Sequence, residues 1–273
     1  MLPVIGLSFG NIKPSADPAA YKEVLKTLVD NGGRVFDAMH GDASSEQFHA
    51  TIANELEIQN QLFWSTRGTP PGGPGGPPPP GAATAKAHIE MWLARLELPK
   101  IDLVMLPATA DPTHFDGLKE AKKEGRVRYI GAQVIVDERY AQLESIMRNE
   151  PIDFIGVDYD ITNRGVEQTI LPLAQERKIG VMAFFPFGVG SLFKRADTTP
   201  LPEWAADFDA KTWAQFFLKY VIGHPAVTVA RTGTSQAKHM LDNIGGGIGR
   251  LPNEATRKRM VELVDAWPPA GPR

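Results

Sequence analysis

The sequence contains no cysteine. That excludes disulfides, thiolate catalysis and zinc sites built on sulfur, and it fits a reducing compartment, so a cytoplasmic location is expected. No apolar run approaches the roughly 20 residues that cross a bilayer, so no membrane span is expected. There is no basic block and the net charge is −3, which leaves nucleic-acid binding without an electrostatic basis. The opening "MLPVIGLSFG" has no basic stretch ahead of its apolar residues, so no signal peptide is read there. Also missing is a G-x-G-x-x-G opening the helix after the first strand, the usual mark of an open dinucleotide-binding sheet. "GGGIG" at 245–249 comes too late for that role and reads as a flexible turn.

What is present is a regular alternation. "VIGLSFG" (4–10), "RVFDA", "LFWSTR" (62–67), "IDLVMLP" (101–107), "VRYIGAQVIV" (127–136), "IDFIGVDYD" (152–160), "IGVMAFFPF" (179–187) and "AVTVARTG" (226–233) are short and apolar throughout. Strands covered on both faces have this character. Each is followed by a segment of helical period; in "AAYKEVLKTLVDNGG", Tyr21, Val24, Leu25, Leu28 and Val29 form one apolar face. Eight such units in 273 residues predict an α/β fold, one closed (β/α)8 barrel occupying residues 1–273. "GTPPGGPGGPPPPG" (68–81) cannot be helix or sheet. It reads as a surface insertion, or as a semi-rigid rim over the pocket. "WPPAGPR" (267–273) reads as a loose tail.

Barrel chemistry gathers at the C-terminal ends of the strands. Read in order, those ends present Asp37, His40 and Asp42, then Arg67, Pro107, Gln133, Asp158 to Asp160, Phe184 and Phe185, and finally Arg231 and Thr232. The mouth is therefore polar and aromatic, with cations facing carboxylates. Asp37, His40 and Asp42 offer oxygen and nitrogen ligands, but without an H-x-H or H-E-x-x-H pattern and with Arg67 close by, no metal is expected. "DYD" at 158–160 reads equally as substrate contact (Asp158, Asp160) and as loop capping. His49 and His88 read as surface or packing residues, His114 as a solvent-exposed helix start, and Trp64 and Trp92 as core.

With the strand ends in register, the chain resembles the aldo-keto reductase family. "GLSFG" resembles the family's G-L-G-T, "FDAMHGDASSE" its D-T-A-x-x-Y-G-x-S-E, and "LKEAKKEGRVRYIGAQ" its L-x-x-L-x-x-x-G-K-V-R-x-I-G-V-S. "WLARLELPKIDLVML", "LPLAQERKIGVMAFFPFGVGSLF" and "TGTSQAKHMLDN" are similar to its strand-four, strand-seven and late cofactor-loop segments. No counterpart of the family's opening β-hairpin is expected, because the first barrel strand reads as starting near Met1. The resemblance implies NADPH-dependent carbonyl reduction by an Asp–Tyr–Lys–His tetrad, the tyrosine protonating the carbonyl oxygen. In this sequence Asp37 keeps the aspartate position. Asp42, or His40 if a gap is allowed, takes the tyrosine position; Arg67 takes the lysine and Pro107 the histidine. A guanidinium can pair with Asp37 but cannot shuttle a proton.

The family's Ser-Asn grip on nicotinamide falls at Gln133 and Val134, and its strand-six glutamine at Gly156. Phe184 takes the position of the aromatic that stacks on nicotinamide. Thr234, Ser235 and Asn243 match phosphate and adenine contacts at a helix N-terminus. His239 stands where an arginine often holds a 2′-phosphate. NADP binding is thus implied by the resemblance, with a small-molecule substrate. Three functions stay open: a reductase whose proton donor is His40 or Asp42; a non-redox lyase, dehydratase or isomerase using His40 or Asp42 with Arg67; and a catalytically silent relative that binds a nucleotide or a partner protein.

Overall fold

Eight strands run parallel and close on themselves in sequence order: β1 (Ile5–Ser8), β2 (Val35–Asp37), β3 (Phe63–Arg67), β4 (Ile101–Pro107), β5 (Val127–Val134), β6 (Phe154–Asp158), β7 (Gly180–Phe184) and β8 (Val229–Gly233). The computed structural model describes residues 4–9, 17–38, 43–67 and 80–268. His40, Asp42, residues 68–79 of the proline- and glycine-rich stretch and residues 269–273 of the tail lie outside the described residues. Closure is made by β1 against β8, with Gly6 opposite Arg231 and Ser8 opposite Gly233. The (β/α)8 barrel expected from the alternating segments is the fold observed.

Helices α1 (Pro18–Asp30), α2 (Ala43–Glu55), α3 (Ala82–Leu96), α4 (Thr113–Lys123), α5 (Tyr140–Asn149) and α6 (Ile170–Arg177) follow the first six strands in turn. Their sequences carry their own starts and stops. Asp17 accepts a hydrogen bond from the Ala19 amide at 3.0 Å, and Pro18 opens the helix where its missing N–H is harmless. Between β7 and β8 the chain inserts a short helix, α7 (Ser191–Ala196), before α8 (Trp213–Ile222). After β8 come α9 (Ala237–Gly246) and α10 (Glu254–Asp265). The helical pattern of α7 and α10 was not anticipated.

"GGGIG" also differs from expectation, because Gly245 and Gly246 are the last turn of α9. A Cβ on Gly245 would lie 2.7 Å from Gln215 Nε2, and one on Gly246 2.9 Å from Leu218 Cδ1. Close approach of α8 and α9 explains these glycines, rather than turn-forming freedom.

The core has two parts. Between barrel and helices lies a continuous apolar layer that includes Trp64 and Trp92, both buried as expected. Inside the barrel, alternate residues of the strands pack together, among them Phe63, Leu103, Met105, Phe154, Met182 and Phe184. Phe63, Tyr129 and Phe154 meet at centroid distances of 5.6 to 6.4 Å and fill the N-terminal end. The opposite end is polar.

Candidate active site

Inward-facing positions on β2, β3, β5, β6, β7 and β8 bring Asp37, Ser65, Arg67, Gln133, Asp158, Phe184 and Arg231 to the C-terminal mouth. Asp37 is fully buried. Its Oδ1 accepts from Ser65 Oγ at 2.9 Å. Its Oδ2 accepts from Arg231 Nη1 at 3.0 Å and faces Arg67 Nε at 3.4 Å. Arg67 also donates through Nη1 to Gln133 Oε1 at 2.7 Å. The pairing of Arg67 with Asp37 is as anticipated; Arg231 as a second cation on the same carboxylate was not foreseen.

Both guanidiniums lie over the ring of Phe184, their central carbons 4.3 Å (Arg67) and 4.7 Å (Arg231) from its centroid. A cation on an aromatic face gains from the ring quadrupole, more so when dry. Phe184 is itself fully buried. Its ring rests where a side chain at 156 would stand, since a Cβ on Gly156 would approach Phe184 Cζ to 2.4 Å. Burial pulls the Arg231 pKa down to about 10, against the pull of Asp37 and with the push of the Arg67 charge. It stays protonated at neutral pH.

The remaining predicted residues fall in two places. Asp160 is a loop cap: its Oδ1 accepts from the Thr162 and Asn163 amides at 2.6 and 3.0 Å. Asp158 is buried at the end of β6. Thr234, His239 and Asn243 line one cavity of about 390 Å³ with Thr212, Trp213 and Asp242. Ser235 lines the adjoining groove of about 510 Å³, together with Ser8, Tyr21, Phe185, Arg231 and Thr232. Tyr21, assigned to the apolar face of α1, therefore also reaches the groove. His114, expected at a solvent-exposed helix start, is buried.

Tyr159 and Tyr220 belong to a separate cluster. Both hydroxyls donate to Glu167, Tyr220 at 2.8 Å, and Arg257 Nη2 donates to Glu167 at 2.9 Å. Burial pushes both hydroxyl pKa values above the ordinary tyrosine range. A tyrosine that protonates a carbonyl oxygen needs the opposite. Among the described residues no group of three metal-ligating side chains gathers, and no helix is long and apolar enough to cross a membrane.

The sequence places Arg231 at the mouth without giving it a role, and it does not point to Ser65 or Trp213. For Arg231 a signal existed: a charge inside "AVTVARTG", an otherwise apolar strand, must be paired once buried. Ser65 and Trp213 carried none.

A closed (β/α)8 barrel with its polar residues and a long groove at the C-terminal mouth defines a barrel-enzyme scaffold. The chain belongs to the aldo/keto reductase family, whose model matches residues 4–258. It is 24% identical over 209 residues to "Probable aldo-keto reductase 1" of Glycine max, a match covering 66% of this chain and 58% of that protein. Solved structures share the fold. Aldo-keto reductase AKR11C1 from Bacillus halodurans superposes with a TM-score of 0.77 at 20% identity, covering 96% of this chain and 91% of that one. An aldo-keto reductase from Klebsiella pneumoniae in complex with NADPH gives 0.78 at 21% identity, covering 96% and 91%.

Proposed function

We propose that the chain is an oxidoreductase-family barrel enzyme acting on a small carbonyl or hydroxy compound at a guanidinium-lined mouth. The observation that carries this reading is the buried Asp37–Arg67–Arg231 cluster at the end of the barrel where such folds place their chemistry. Asp37 fixes two cations in a site shielded from water. Cations held this way stabilise negative charge developing on a substrate oxygen without reorganising at the moment of reaction. His40 or Asp42 is assigned the proton transfer.

For NADP, the residues fit unequally. The cavity with Thr234, His239, Asn243 and Trp213 suits an adenosine end beside the N-terminus of α9. Structural relatives from Klebsiella pneumoniae solved with NADP or NADPH support NADP as the class of ligand. The nicotinamide end does not fit in the same way. Gln133 is engaged by Arg67, Gly156 offers no side chain, and the Phe184 face is covered by two guanidiniums. That covered face favours a second reading, non-redox proton transfer in a lyase, dehydratase or isomerase.

Titration with NADPH and NADH, following energy transfer from tryptophan emission, separates the readings because Trp213 lines the adenosine cavity. Saturable transfer, followed by NADPH oxidation with small aldehydes or ketones, supports the oxidoreductase. Transfer without oxidation, with deuterium exchange next to a carbonyl, supports the proton-transfer enzyme. Absence of both activities would leave a silent relative.

A further inference from the structure

Arg231 carries more hydrogen-bond donors than its surroundings use. A guanidinium has five N–H groups in a rigid fork. Arg231 donates one hydrogen bond, from Nη1 to Asp37 at 3.0 Å, and its Nε has no partner among the described residues. Its side chain is only 6% exposed. A charge buried with unused donors is costly unless something else meets them. Asp37 cannot, because its second oxygen already accepts from Ser65 and its first is shared with Arg67. Two guanidiniums thus share the Asp37 carboxylate.

Arg231 borders the groove of about 510 Å³, with Ser8, Thr232 and Phe185 beside it. The unused edge of a guanidinium presents two parallel N–H groups, spaced to meet both oxygens of a carboxylate or phosphate. Arg67 lies over the same Phe184 ring, so the two cations sit close together at this end of the barrel. A carboxylate would take the Arg231 edge, and the oxygen on the neighbouring carbon would face Arg67.

We propose that Arg231 is a specificity residue that receives the substrate's carboxylate, making the substrate a small 2-oxo or 2-hydroxy acid rather than a neutral aldehyde, ketone or alcohol. This rests on the reading of the mouth as the active site. The same chemistry would also bind a phosphate group of a nucleotide in the groove, where Thr234 and Ser235 lie. The test must tell the two sources apart.

Calorimetric titration of the full chain, without nucleotide, with pyruvate, its neutral amide and ADP makes that distinction. The wild type should bind pyruvate at least about tenfold more tightly than the amide. Arg231→Lys, which keeps the charge but loses the fork, and Arg231→Gln should each remove that preference and leave ADP affinity unchanged. Equal affinity of the wild type for pyruvate and amide overturns the proposal. So does a loss of ADP affinity, rather than pyruvate affinity, in the variants. If either variant fails to fold, the wild-type thermal shifts with pyruvate and amide decide alone, and equal shifts reject the assignment. Oxidation of NADPH with neutral aldehydes, alongside indifference to pyruvate, would keep the oxidoreductase reading and reject this one.

Discussion

Asp37 accepts from Ser65 with one oxygen and faces two guanidiniums with the other. Replacing it with Asn removes the carboxylate that both buried cations face. Breaking a buried charge cluster from one side costs about 3 kcal/mol or more, so Asp37→Asn should lower the urea midpoint by a matching amount. Asp37→Asn and Arg67→Ala should each reduce turnover by roughly tenfold or more. Unchanged activity in both would place the active site elsewhere. His49 on α2 sets a different expectation. It sits among Phe9, Phe36 and Phe48, and neither ring nitrogen has a hydrogen-bond partner among the described residues. Burial lowers its pKa to about 4, with Asp37 opposing. The unfolded chain therefore takes up this proton at a higher pH than the folded one. Stability should fall as pH drops from the ordinary histidine value towards about 4, by about 3 kcal/mol from this group. Urea unfolding of wild type and His49→Leu at pH 7 and pH 4.5 (about half a unit above the folded-state value) checks this. An equal acid loss in both would reject it.

At the level of strands, β6 and β7 depend on the missing side chain at 156. A Cβ there would meet Phe184 Cζ at 2.4 Å and Met105 Sδ at 3.2 Å. Phe184 cannot retreat easily, since Arg67 and Arg231 cover its ring. Gly156→Ala should destabilise by about 2 kcal/mol through overpacking, read as a drop in melting temperature; a neutral effect would mean that the ring is free to move. The strands themselves were legible because their apolar runs are short and continuous, which only a sheet covered on both faces produces. The pairing of Asp37 with Arg67 was legible too, because both stand at the ends of adjacent strands. The bond from Arg231 to Asp37 was not, because it joins residues 194 apart and exists only once β8 closes on β1. "GGGIG" was misread for a related reason: glycine marks turns locally, yet here it serves contact between α8 and α9.

Across the whole barrel, stability and chemistry occupy opposite ends. Phe63, Tyr129 and Phe154 fill one end, while the charged cluster occupies the other. Phe63→Ala should therefore cost about 3 to 4 kcal/mol of stability and leave nucleotide and anion affinities as they were. Weakened ligand binding in a folded Phe63→Ala protein would show that the two ends are coupled. Beside the cavity lined by Thr234, His239 and Asn243, Trp213 meets Trp267 with ring centroids 5.0 Å apart and planes at 80°. Arg195 holds that segment by donating to the Val264 and Trp267 carbonyls. Two indoles so close and so steeply crossed share their electronic transitions. The pair should therefore give an exciton couplet in the far-ultraviolet indole band, an optical gauge of whether the segment after α10 is seated against the cavity wall.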